Sequence, residues 1–98
     1  MQINFTGHGL AVTPALKQLA EQKLTKLQRH SDKITTIQIS FDVQKLQQIA
    51  EGLILVEGNE IHAKSSSDDM YKAIDEMVRK LDTQLLKHKD KSQDHRDG

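Results

Sequence analysis

Two small groups of polar residues have the types and spacing that could support catalysis or metal binding. Glu60 and His62 are two positions apart, so on a strand both side chains would point to one face and could contact a metal ion. Asp68 and Asp69 could form a carboxylate pair for acid–base chemistry. However, no third ligand stands at a zinc-site spacing, and the two aspartates lie where a helix should begin, which favours capping. The sequence therefore predicts no catalytic residue, no metal site and no cofactor.

Basic side chains on two predicted helices are the remaining functional candidates. The first helix carries Lys17, Lys23, Lys26 and Arg29, and the second carries Lys72, Arg79, Lys80, Lys87, Lys89 and Lys91. The 14 basic and 14 acidic residues give zero net charge, yet residues 13–29 and 70–91 have a basic excess, whereas residues 34–64 have an acidic one. This distribution predicts a positive band over the helices that could bind a polyanion. The same lysines could also serve only to keep the protein soluble.

Length and composition limit the class of protein. The 98 residues suffice for one hydrophobic core, and the absence of cysteine excludes disulfides and thiolate zinc sites. No apolar run is long enough to span a membrane, and the N-terminus lacks the pattern of a signal peptide. We therefore expect a cytoplasmic, single-domain protein without a membrane partner.

Hydrophobic periodicity predicts two helices and four strands. Alternating or apolar runs predict strands at residues 2–6, 37–43, 52–56 and 60–64, and apolar stripes at helical spacing predict helices at 13–29 and from about 70 to 86. Residues 44–50 have no clear pattern and are interpreted as a polar connector. In the strand at 52–56, Leu53 and Leu55 should lie on the sheet face away from the core. Residues 65–69 should form the start of the second helix, with Asp75–Arg79 and Glu76–Lys80 as ion pairs within it.

This order predicts an α+β fold, β-α-β-β-β-α, with a four-stranded mixed sheet and two parallel helices packed on one face. A right-handed crossover would place the first strand parallel to the second, and the short later connections favour antiparallel pairing. The arrangement is similar to double-stranded-RNA-binding domains, which contact shape and phosphates. Phe5 and Phe41 fall on core faces, so recognition of single strands by base stacking is not expected.

Several segments resemble the bacterial ribosome hibernation-promoting factors, also called the sigma-54 modulation family. The specific segment is GNEIHAKSSSDDMYKAID, followed by KLDTQLLKHKDK, and MQINFTG, TPAL and LTKLQRH match the same pattern. The resemblance covers residues 1–91, which we expect to form one ribosome-binding domain. Residues 92–98 are expected to be a short, polar, disordered tail. The chain is similar to the short form of the family, which lacks a dimerising C-terminal domain.

The resemblance implies a non-enzymatic factor that binds the small ribosomal subunit in the channel for messenger and transfer RNA. Such factors inhibit translation in stationary phase and promote inactive ribosome dimers, in some cases with a second factor; DNA is not an expected partner. The positions that match the family's basic residues, and those close to them, are the expected contacts to ribosomal RNA: Lys23, Lys26, Arg29, Lys80, Lys87, Arg79, Lys89 and Lys91.

Two other functions remain open from the sequence. The older family name suggests a protein-interaction module that regulates the sigma-54 RNA polymerase system, and the apolar Leu53 and Leu55 could mark a protein contact. A small metalloenzyme built on Glu60 and His62 would require bound metal. Sedimentation of the protein with ribosomes or with polymerase would separate the first two functions.

Overall fold

A computed structural model describes residues 2–29 and 33–94, with side chains as far as His88. The elements are β1 (Gln2–His8), α1 (Pro14–Gln28), β2 (Ile34–Gln44), β3 (Gln47–Val56), β4 (Asn59–Ser67) and α2 (Met70–Asp94). The four strands form one sheet in the order β1-β2-β3-β4, in which β1 is parallel to β2 and the other pairs are antiparallel. The predicted α+β fold is confirmed.

The strand directions also account for the parallel helices. β1, β2 and β4 run one way and β3 runs the other way. α1 follows β1 and α2 follows β4, so each helix returns across the same face in the same direction. Thr13 caps α1: its hydroxyl accepts a hydrogen bond from the Leu16 amide at 3.3 Å, and Pro14 takes the first helical position.

The interpretation of residues 44–50 as a connector is wrong, because they form a tight β-hairpin. Gln44 pairs with Gln47 across a two-residue turn, and β3 therefore begins five residues before the predicted strand. Lys45 adopts a φ of 58° in this turn, a conformation more typical of glycine or asparagine. Leu46, beside it, is 86% exposed. Neither residue type is a turn signal, which explains why the sequence did not predict the hairpin.

The second hairpin turn is at Glu57 and Gly58, with φ values of 51° and 77°. Asn59 follows this turn as the first residue of β4 and pairs with Val56. β4 continues to Ser67, so Ser65 belongs to the strand rather than to the helix start. β3 is long enough to pair with Ser65, Ser66 and Ser67.

Asp69 provides the start of α2. Its carboxylate accepts from the Tyr71 amide at 3.1 Å, and its carbonyl accepts from the Ala73 amide at 3.0 Å. The helix extends to Asp94 and thus includes residues 92–94 of the expected tail. Residues 95–98 lie outside the described residues, and the division into domain and tail stays a prediction.

The core lies between the helices and one face of the sheet. Its largest fully buried side chains come from both layers: Leu24, Leu27, Ile37, Ile39, Phe41, Ile54, Val56, Ile74, Met77, Leu81 and Leu85. Gly52 allows α2 to approach the sheet, because a Cβ there would stand 2.7 Å from Met77 Sδ and 2.8 Å from Leu81 Cδ1. On the opposite face Leu53 and Leu55 are half-buried, as expected. No helix in the described part of the chain is long and apolar enough to cross a membrane.

Candidate nucleic-acid interface

The predicted RNA-binding residues are distributed along the two helices. Lys26, Arg29, Arg79, Lys80 and Lys87 are exposed, and Lys23 is half-buried. Arg29 directly follows the last residue of α1. Lys89 and Lys91 belong to α2, but their side chains lie outside the described part of the structure. The helices thus carry a broad array of cations rather than one converging cluster, and the RNA-binding role of these eight residues stays a prediction.

A groove between the helices brings together residues that are far apart in the sequence. Its walls include Lys23 and Lys26 from α1, and Asp75 and Arg79 from α2. The Asp75 carboxylate is 2.9 Å from Lys23 Nζ and 3.0 Å from Arg79 Nη2. The hydrogen bond from Lys23 is the main cause that lowers the pKa of Asp75 below its ordinary value, against a smaller opposing effect of burial. The carboxylate therefore remains charged and holds the two cations in place.

The next basic residue along α2 covers the free edge of the sheet. Lys80 Nζ donates to the Lys64 carbonyl of the edge strand β4 at 2.9 Å, and Gln84 donates to the His62 carbonyl at 2.6 Å. The predicted Glu76–Lys80 pair is not formed; Lys80 binds the strand instead. Unpaired edge groups favour unwanted strand pairing, so these two contacts both anchor α2 and protect the edge. Lys80 nevertheless stays exposed to solvent.

Lys87 lies farther along α2, near the hairpin that joins β3 and β4. It lines a shallow depression together with Glu60 and His88. His88 Nε2 is 3.8 Å from the carboxylate of Glu57 in the hairpin turn. Lys26, Lys80 and Lys87 have no acidic ion-pair partner among the described residues. Within the described structure, no acid therefore neutralises their positive charges in an ion pair, and these charges can attract a polyanion.

Three of the four residues considered for catalysis and metal binding have other contacts. His62 Nε2 bonds to the Glu51 carboxylate of the neighbouring strand at 2.5 Å, across the outer face of the sheet. In the described part of the chain, no three histidine, aspartate or glutamate side chains come together in a way that could hold a metal ion. Asp69 caps α2, and Asp68 accepts a hydrogen bond from the Ser67 hydroxyl at 3.2 Å.

The sequence did not indicate that Asp75 contributes to this surface. Its spacing to Arg79 predicted only a helical pair, which the structure confirms. Its contact with Lys23 spans 52 positions and depends on the packing of α1 against α2, which no local pattern reveals. The half-burial of Lys23 is explained by this ion pair.

Comparisons with known proteins identify relatives over nearly the whole chain. The family model described as "Sigma 54 modulation protein / S30EA ribosomal protein" matches residues 3–93. A ribosome hibernation promoting factor of Azotobacter vinelandii is 45% identical over 98 residues, covering 100% of this chain and 92% of that protein. The factor of the same name from Escherichia coli K12 is 39% identical over 95 residues, covering 97% of this chain and 100% of that protein.

Solved structures support the same relationship. The structure of a ribosomal subunit interface protein from Coxiella burnetii has a TM-score of 0.86 and 43% identity, covering 91% of this chain and 98% of that one. The N-terminal domain of Thermus thermophilus Protein Y has a TM-score of 0.83 and 27% identity, covering 90% and 99% of the two chains.

Proposed function

Because the chain belongs to the sigma 54 modulation protein / S30EA ribosomal protein family, we propose that it is a ribosome hibernation factor. The two relatives above that carry the name ribosome hibernation promoting factor match 100% and 97% of its length, so the proposal concerns the whole chain. It binds the small ribosomal subunit in the channel for messenger and transfer RNA, and this occupancy inhibits translation. The role requires no catalytic group, and it places the protein in the cytoplasm.

The helical layer supports binding to ribosomal RNA. Lys26, Lys80 and Lys87 are exposed and lack an acidic partner among the described residues, which is the single structural observation that carries this proposal. Exposed ammonium groups that lack an acidic partner and are spread along two parallel helices suit phosphates on the surface of folded RNA, because each can neutralise one phosphate. Lys23, Arg29, Arg79, Lys89 and Lys91 extend this surface, which we call the helical band. Promotion of inactive ribosome dimers, with or without a second factor, completes the proposed role.

The test compares two triple variants with the same change in charge. K26Q/K80Q/K87Q removes the three lysines of the helical band that have no acidic partner among the described residues, whereas K17Q/K33Q/K72Q removes three lysines that are not among the eight expected RNA contacts. The first variant should lose co-sedimentation with small ribosomal subunits, and the second should retain it. The slope of log affinity against log salt should also fall by about 2–3 in the first variant, at roughly 0.7–0.9 per phosphate contact. Equal loss in both variants would refute a specific helical band.

The family description favours one alternative, a regulator of the sigma-54 polymerase system that acts through protein contacts. The half-buried Leu53 and Leu55 on the outer face of the sheet would then contribute to the contact. Density gradients of stationary-phase extracts separate the two functions, since a hibernation factor migrates with ribosomes and a polymerase regulator migrates with polymerase. Migration with polymerase alone would overturn the proposal.

A further inference from the structure

An open pocket lies beside the helical band, where the tip of the β2–β3 hairpin, the edge strand β4 and α2 meet. Its volume is about 690 Å³, within the range of pockets that hold small ligands. Three lysines from different elements line it: Lys45 from the hairpin turn, Lys64 from β4 and Lys80 from α2. Lys45 and Lys64 were not among the predicted RNA contacts.

The charge of this pocket is strongly positive for a protein of zero net charge. The three lysines face one acid, Glu76, which leaves a balance of two positive charges. The inter-helix groove is lined by more acidic residues than the pocket. The Asp75 carboxylate of the groove already forms ion pairs with two of its cations. Lys45 and Lys64, in contrast, have no acidic ion-pair partner among the described residues. The pocket therefore has more unneutralised positive charge than the groove.

A buried hydroxyl without a partner in the described part of the chain lies in the wall of the pocket. Ser65 is only 4% exposed, and its Oγ has no hydrogen-bond partner among the described residues. A buried polar group without a partner costs about 1–3 kcal/mol, so such groups are usually satisfied. The oxygen of a bound anion is an acceptor of the type that this hydroxyl lacks.

We propose that this pocket binds a phosphate group of the RNA backbone. Ammonium groups and a hydroxyl are suitable donors for phosphate oxygens, and the positive balance of the pocket exceeds the single negative charge that each phosphate of an RNA backbone carries. Lys80 belongs to both the helical band and the pocket, so an RNA strand that follows α2 reaches the pocket at this residue. The inference rests on the proposed function and extends its surface from the helices across the edge of the sheet.

The first test measures RNA binding of the intact protein. K45Q/K64Q removes the two lysines that are unique to the pocket, and K17Q/K33Q has the same charge change elsewhere. The slope of log affinity against log salt for small ribosomal subunits should fall by about 0.7–0.9, the value for one phosphate, in K45Q/K64Q and stay at the wild-type value in the control. An unchanged slope in K45Q/K64Q, while K26Q/K80Q/K87Q abolishes binding, would overturn the pocket alone. Retained binding by K26Q/K80Q/K87Q would instead contradict the proposed function.

The second test distinguishes an RNA phosphate from a free phosphate compound. In amide NMR spectra, inorganic phosphate at millimolar concentration should shift the signals of Lys64, Ser65 and Ser66 in the wild type, but not in K45Q/K64Q. A short RNA duplex should shift the same signals at lower concentration. No shift with either ligand would overturn the site. Shifts with inorganic phosphate but none with RNA would assign the pocket to a free phosphate compound and overturn the RNA assignment.

Discussion

Neutralising Asp75 tests how the groove between the helices contributes to RNA binding. The carboxylate lies 2.9 Å from Lys23 Nζ and 3.0 Å from Arg79 Nη2, so it cancels one of the two positive charges that it holds. In Asp75→Asn the pair of cations would present two positive charges rather than one. We therefore expect this variant to neutralise about one additional phosphate of a bound RNA.

The expected magnitude follows from counterion release. Each neutralised phosphate adds roughly 0.7–0.9 to the slope of log affinity against log salt. A fourfold rise in salt, from about 50 to 200 mM, should therefore weaken binding of Asp75→Asn about threefold more than binding of the wild type. At the lower salt concentration, about 50 mM, the variant should bind free RNA duplexes more tightly than the wild type.

The assay is a salt titration with a fluorescent RNA duplex and with small ribosomal subunits. Glu21→Gln is the matched control, because Glu21 is an exposed acid of α1 with no ion-pair partner among the described residues. The two lost ion pairs are partly exposed and worth about 0.2–1 kcal/mol each, so Asp75→Asn should remain folded. A slope equal to or below that of the wild type would refute the reasoning and show that Asp75 aids binding by positioning the cations.

Three further predictions concern stability. Gly52→Val should lower the free energy of unfolding by about 1–3 kcal/mol, because the added side chain collides with α2; an unchanged melting temperature would contradict the close packing. The lowered pKa of Asp75 means that its ion pairs stabilise the fold above its ordinary pKa of 3.8 and are lost as pH falls through the lowered value. The difference in free energy of unfolding between wild type and Asp75→Asn, measured by urea denaturation, should therefore become smaller in acid. A difference that does not change with pH would contradict this contribution of Asp75. Gln84→Ala removes the hydrogen bond to the His62 carbonyl and should lower the free energy of unfolding by about 0.5–1.5 kcal/mol. Gln22→Ala, at an exposed position of α1, should lower it less.

The order of elements could be predicted because each element has a strong local pattern. Thr13 and Pro14 mark the start of α1, and the alternation from Ile37 to Phe41 marks β2. The limits of β3 and β4 could not be predicted in the same way. Lys45 supplies positive φ without being a turn residue, and Ser65 resembles a helix cap although it pairs with Ala50. In both cases the pairing between long strands outweighs local propensity.

The candidate interface was only partly accessible to sequence analysis. The sequence placed Lys26 and Lys80 on the two predicted helices, but it could not show what each side chain contacts. Lys80 binds a strand carbonyl and Lys23 binds an acid on the other helix, and both contacts depend on the packing of distant segments. The pocket that joins Lys45 to Lys64 was missed for the same reason, since its walls come from three elements.

Zero net charge is compatible with RNA binding because basic and acidic side chains are unevenly distributed. Glu51 lies on the outer face of the sheet, where it binds His62, whereas the helical band lies on the helices that cover the other face. The sheet and the helical layer separate these surfaces, and the Debye length at physiological ionic strength is about 8 Å. A polyanion at the helices is therefore screened from acids on the outer face. Two other acids lie close to the band: Glu60 lines the same depression as Lys87, and Asp75 holds Lys23 and Arg79, so both should affect binding directly.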